Sequence, residues 1–174
     1  MEVVTKSRFE WAIAEMNIRP GDTVLEIGPG TGIALEIITK LVTGSVVAMD
    51  KSQAMLLKAE TRLKKSGLEK RVAFILGDAQ SADFSRFRFD KVFAFNVGVF
   101  YSGADLKGVL DHIVNGGIVG IFYQNPPGSD RQRLTRMLDK TRVRLDDHGF
   151  TILKLPEYNH AGNTPTSGVI AVKR

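Results

Sequence analysis

Glu26, Gly28, Gly30, Gly32, Asp50 and Asp78 are the residues whose types and spacing could do chemistry in this chain. The run Val24-Leu25-Glu26-Ile27-Gly28-Pro29-Gly30-Thr31-Gly32 sets a short apolar strand before three alternating glycines and a helical pattern. Glycine permits a tight turn and lets a ligand approach the backbone. In an open α/β sheet, ligands bind outside the carboxyl ends of the strands. A dinucleotide site prefers G-x-G-x-x-G; here Ile33 stands where that pattern has its third glycine. Glu26, at the end of its strand, would repel a pyrophosphate and attract a positively charged ligand. Such a pair at about 4 Å is worth roughly 1 kcal/mol in water and about 4 kcal/mol at an effective dielectric of 20. Asp50 ends the next strand and can accept hydrogen bonds from both ribose hydroxyls, whichever nucleotide is bound. Asp78 can accept from an adenine amino group, and the Ala79 N–H can serve a ring nitrogen. Asp50 has a lesser reading as a charge helping the Ser52 helix cap, and Asp78, taken alone, is as readily a turn-forming residue.

These residues need a sheet to position them. Apolar runs predict strands over 24–27, 45–49, 71–76, 91–95, 118–123, 150–155 and 168–172. Helical patterns fall over 5–16, 31–41, 52–66, 104–114 and 129–148, with breakers at Asn115-Gly116-Gly117 and Asn125-Pro126-Pro127-Gly128. Strands alternating with helices imply right-handed crossovers and a mostly parallel sheet. Residues 156–167 are too few for a crossover helix, so the last two strands pair as an antiparallel hairpin. One domain over 1–174 is expected, with 1–20 as N-terminal helix and lead-in.

Composition narrows the classes. The 174 residues are 43% hydrophobic and include no cysteine, which excludes disulfides, cysteine metal sites and thiol nucleophiles. No metal site is apparent, since His112 and His148 lie in helical patterns without ligand spacing. No apolar run approaches the roughly 18 residues of a membrane span, and Met1 to Arg8 lacks a signal-like apolar core. A cytoplasmic protein without membrane partner is the expectation. The net charge of +5 fits an anionic or nucleic-acid partner as well as plain solubility. The basic residues of 131–144 are interrupted by Asp139 and read as a solvated helix face.

S-adenosylmethionine carries a sulfonium and an ammonium group and no phosphate, the chemistry that Glu26 calls for, and its adenosine suits Asp50 as any nucleoside would. The chain resembles the class I S-adenosylmethionine-dependent methyltransferase family. Glu26-Ile27-Gly28-Pro29-Gly30-Thr31-Gly32 is similar to its first motif, and Val47-Ala48-Met49-Asp50-Lys51-Ser52-Gln53-Ala54-Met55-Leu56 to its second-strand motif. Gly77-Asp78-Ala79, Phe89-Asp90-Lys91-Val92-Phe93-Ala94-Phe95-Asn96 and Gly116-Gly117-Ile118-Val119-Gly120-Ile121 resemble later motifs in the family's order. The resemblance implies a Rossmann-like three-layer sandwich. Its seven-stranded, mostly parallel sheet would be ordered 3-2-1-4-5-7-6, with strand 7 antiparallel. It also implies that Glu26 and Gly28 lie by the methionine part of the cofactor, with Gly30 and Gly32 in the same cofactor-binding turn. Asp50 would hold the ribose, Lys51 and Met55 would flank the adenosine, and Asp78 with Ala79 would read the adenine.

The acceptor is less legible. Asn96-Val97-Gly98-Val99-Phe100-Tyr101 after the fourth strand lacks the prolines of enzymes that methylate base amines. Methyl transfer from a sulfonium needs positioning more than a base. Candidates past the fourth and fifth strands are Asn96, to orient an acceptor amine or the cofactor amino group, and Tyr101 and Tyr123, to line the acceptor pocket. His160, in the hairpin loop, is a candidate base. A small-molecule acceptor is favoured, with RNA or protein as alternatives and a second subunit as a means of closing the pocket. The rival functions are a non-catalytic cofactor-binding subunit and a nicotinamide-dependent oxidoreductase, which Glu26, Ile33 and the terminal hairpin oppose.

Overall fold

The computed structural model describes residues 7–125, 130–159 and 165–174. Eight strands form one sheet: β1 (Val24–Ile27), β2 (Val46–Asp50), β3 (Val72–Leu76), β4 (Phe89–Phe95), β5 (Ile113–Gln124), β6 (Phe150–Lys154), β7 (Glu157–Tyr158) and β8 (Thr166–Lys173). Their order is β3-β2-β1-β4-β5-β8-β6, with the two-residue β7 also paired to β8. The first five strands are mutually parallel, and β8 runs antiparallel to β5 and β6. With β7 set aside, this is the expected order. The eighth strand was not foreseen, because two residues carry no readable alternation.

Helices α1 (Arg8–Glu15), α2 (Ile33–Leu41), α3 (Gln53–Lys65), α4 (Lys107–Leu110) and α5 (Arg131–Asp147) cover the two faces. Alternation along the strands divides the core. Leu25, Ile27, Val92, Ala94, Ile121 and Tyr123 face α4 and α5. Val24, Val46, Ala48, Phe93, Phe122 and Ile170 face α1, α2 and α3. Helix α1 starts later than expected because Ser7 and Glu10 form a capping box, each side chain bonding the other's backbone N–H.

Two expectations between β4 and β5 are corrected. The helix expected over 104–114 is a single turn, Lys107–Leu110, and the fifth strand begins at Ile113 instead of 118. Asn115-Gly116-Gly117 is not a stop between elements. It is an irregularity inside β5, whose register to β4 jumps from Phe89↔Ile113 to Lys91↔Ile118. A Cβ on Gly117 would lie 2.6 Å from the Ile113 side chain and 2.8 Å from the Val114 carbonyl, so only glycine passes through this bulge. Among the described residues, no helix is long and apolar enough to cross a membrane.

Candidate cofactor and acceptor site

The carboxyl ends of β1, β2 and β4, with the loop after β3, bound a cavity of about 720 Å³, a size typical of ligand pockets. The glycine turn divides its labour. Gly28 (φ 67°) lines the cavity, and a Cβ there would stand 2.8 Å from Val97 Cγ2, so the loop after β4 closes directly on the turn. Gly30 (φ 55°) lines the cavity with open space where a side chain would go. Gly32 (φ 78°) does not line it. A Cβ there would meet Ala59 Cα at 2.8 Å, so this glycine lets the start of α2 pack against α3.

Asp50 lines the cavity at the end of β2. Its Oδ1 accepts from Ser52 N–H at 2.9 Å, and Oδ2 makes no hydrogen bond among the described residues. Lys51 lies beside it, while Met55, half-buried in the first turn of α3, is not among the lining residues. Asp78 serves as a turn former and a cavity residue at once. Its Oδ1 accepts from the backbone N–H groups of Gln80 and Ser81 and from Ser81 Oγ, each at 2.9 Å. Those bonds, led by the Ser81 N–H, hold its carboxyl below the usual aspartate range. The Ala79 N–H donates to nothing among the described residues, so a cavity donor stands beside the two carboxylates.

Glu26 lies on the α1–α3 face of β1, in register with Ala48 and Phe93. It is 2% exposed, and Oε2 has no hydrogen-bond partner. Burial pushes its pKa up to about 8. Phe95, two residues beyond Phe93 and so on the same face, lines the cavity, as do Ile27 and Gly28. The buried carboxyl thus sits one step below the cavity between β1 and β4.

The catalytic candidates separate. Asn96 lines the cavity in a left-handed conformation (φ 58°), with Oδ1 accepting from Gln124 N–H at 2.8 Å. That bond ties the ends of β4 and β5 together. Tyr123 does not line the cavity. It shares the parity of Val119 and Ile121, so it turns toward α5, fully buried, with its hydroxyl 2.8 Å from Thr141 Oγ1. Burial raises its pKa. Tyr101 packs edge-on against Tyr123 at 5.6 Å and borders a separate recess beside α5. His160 lies outside the described residues.

The wall that sequence reasoning missed is apolar: Phe95, Val97, Val99 and Ala104. The signal was Val97 and Val99 in a loop with Gly98, apolar side chains with no element to bury them. Arg144 of α5 fixes this loop, donating to the carbonyls of Val99 at 2.6 Å and Ala104. Among the described residues lining the cavity, the charged ones are Asp50, Lys51 and Asp78, all on the β2 and β3 side. The cavity therefore has a polar end fit for a nucleoside and an apolar end past β4.

Comparison with known proteins bears on this arrangement. The family described as "Methyltransferase domain" matches residues 24–116. The chain is 29% identical over 121 residues to the sterol 24-C-methyltransferase erg6 of Aspergillus fumigatus, covering 67% of this chain and 32% of that protein. It is 33% identical over 85 residues to the ubiquinone/menaquinone biosynthesis C-methyltransferase UbiE of Coxiella burnetii, covering 48% of this chain and 34% of that one. The chain thus spans about a third of the length of these relatives. A solved SAM-dependent methyltransferase from Aquifex aeolicus superposes with a TM-score of 0.76 at 20% identity, over 96% of this chain and 90% of that one.

Proposed function

The chain belongs to the class I S-adenosylmethionine-dependent methyltransferase family, and on that premise we propose that it transfers a methyl group to a small, largely apolar acceptor. The observation that carries this reading is the two-ended cavity, with Asp50 and Asp78 on one side and Phe95, Val97, Val99 and Ala104 on the other. The residues present fit the family's cofactor. Glu26 is a buried carboxyl without a partner, which suits a cationic ligand and opposes a pyrophosphate. The unengaged Asp50 Oδ2 can accept from ribose hydroxyls, and the Ala79 N–H can meet the adenine edge. The open space beside Gly30 leaves room for the methionine part.

When bound, S-adenosylmethionine supplies a methyl already activated on a sulfonium. The chain's own task is then orientation and exclusion of water. Phe95, Val97 and Val99 present an apolar surface where the acceptor would sit, and Arg144 holds the loop that carries Val99 and Ala104. No titratable side chain lines that end among the described residues, which favours an acceptor that loses its proton to solvent or has none to lose. Both curated relatives carry C-methyltransferase in their names, which supports a small-molecule acceptor for this chain.

The test is calorimetric titration with S-adenosylmethionine, beside NADH and the Asp50→Ala variant, followed by a radiolabelled methyl-transfer screen. Binding of S-adenosylmethionine alone, weakened about 10- to 100-fold in the variant by loss of a charged acceptor, is expected. Transfer to apolar small molecules in preference to RNA or protein is the expected screen result. NADH binding, or transfer to RNA alone, overturns the corresponding part of the reading.

A further inference from the structure

An unpaired buried carboxyl oxygen is a costly arrangement, and among the described residues Glu26 Oε2 is the one such atom beneath the cavity. No charged group on the surrounding elements bonds Glu26. On α1, Arg8 lies over the Phe9 and Phe95 rings, Glu10 caps the helix, and Glu15 pairs with Lys154. On α2, Glu36 is bound to Lys40, Arg62 and Ser66. On β2, Asp50 accepts from Ser52. On β4, Asp90 accepts from Thr23 N–H, and Lys91 Nζ turns to the Met16 carbonyl. Nothing in this set neutralises Glu26, and burial alone accounts for its raised pKa of about 8.

We propose that Glu26 is a neutral acid in the cofactor-free protein and becomes a carboxylate only when a cationic ligand enters the cavity, so that S-adenosylmethionine binds with release of one proton to solvent. This rests on the cavity being the cofactor site. The ligand's ammonium supplies the counter-charge that the fold withholds, and Glu26 acts as a selector for ligand charge. Adenosine derivatives without the amino-acid tail gain nothing from it. Affinity for S-adenosylmethionine should rise about tenfold per pH unit below about pH 7, by proton linkage. It should turn over above about pH 8, where the ligand's α-amino group loses its own proton.

The experiment is titration calorimetry at about pH 6.5, where that amino group is already protonated, in buffers of differing ionisation enthalpy. A slope of about one proton released with S-adenosylmethionine is expected from this linkage, against none with 5′-methylthioadenosine and none for Glu26→Gln. Binding of S-adenosylmethionine with no proton released, or equal release by the variant, overturns the inference and leaves the cofactor reading standing. Absence of binding overturns the cofactor reading. Carboxyl NMR of the cofactor-free wild type decides the first half independently of any ligand or variant. A Glu26 midpoint above pH 7 supports it, and one near the ordinary glutamate value of about 4.3 refutes it.

Discussion

Replacing Gly30 and Gly32 separately with alanine should separate binding from folding within one turn. Both residues are left-handed, with φ of 55° and 78°, so each alanine incurs about 1–2 kcal/mol of backbone strain. At Gly30 nothing lies within 4 Å of the added methyl, and the strain is the whole cost to the fold. At Gly32 the methyl would lie 2.8 Å from Ala59 Cα and 3.2 Å from its carbonyl oxygen. Backbone cannot swing aside as a side chain can, so overpacking adds about 1–3 kcal/mol. The sums are about 1–2 and about 2–5 kcal/mol. For a chain of this size, 1 kcal/mol moves Tm by about 2–4 °C. Gly30→Ala should therefore melt about 2–8 °C below wild type and Gly32→Ala about 4–20 °C below. Cofactor affinity should order the other way, because Gly30 lines the cavity and Gly32 does not. Thermal melts with calorimetric titration of both variants check this. A Gly32→Ala protein that melts with wild type, or a Gly30→Ala protein that binds cofactor unimpaired, would refute the division of roles.

Other outcomes follow from buried and bridging groups. Because folding raises the pKa of Glu26, an acid, above its unfolded value, stability is fullest below about pH 4.5 and is lost as pH rises through about 8. Glu26→Gln should remove that loss, so that its melting temperature falls less than that of wild type between about pH 4.5 and about pH 9; an equal fall in both would contradict it. Tyr123→Phe should cost about 0.5–1.5 kcal/mol and leave methyl transfer unchanged, because Thr141 keeps its bond to the Met137 carbonyl. A large loss of turnover would restore Tyr123 as an acceptor residue. Arg144→Ala should speed hydrogen exchange in residues 98–104 while cofactor affinity holds, since the side chain bonds the loop after β4 and not the β2 end. Unchanged exchange would refute the stapling.

The β1–β3 end of the cavity was legible in the sequence because its residues are held by short-range rules. Strand, glycine turn and helix follow one another within a few residues, Asp50 ends the next strand, and Asp78 lies in the turn after the one that follows. The terminal hairpin could be foreseen because its connection is short. What could not be read depends on long-range packing. Gly32 continues the motif of Gly28 and Gly30, but the space beside it is filled by Ala59, far along the chain. Tyr123 turns toward α5 with Val119 and Ile121, a facing set by which side of the sheet α5 covers. The apolar wall of Val97 and Val99 belongs to a loop whose form is fixed by Arg144 from another helix.

That staple makes the cavity wall sensitive to a distant part of the chain. The guanidinium that holds the Val99 and Ala104 carbonyls comes from α5, which packs outside the cavity. A substitution on that surface helix can therefore reshape the wall past β4 without touching any residue that lines it, and leave the Asp50 end as it was.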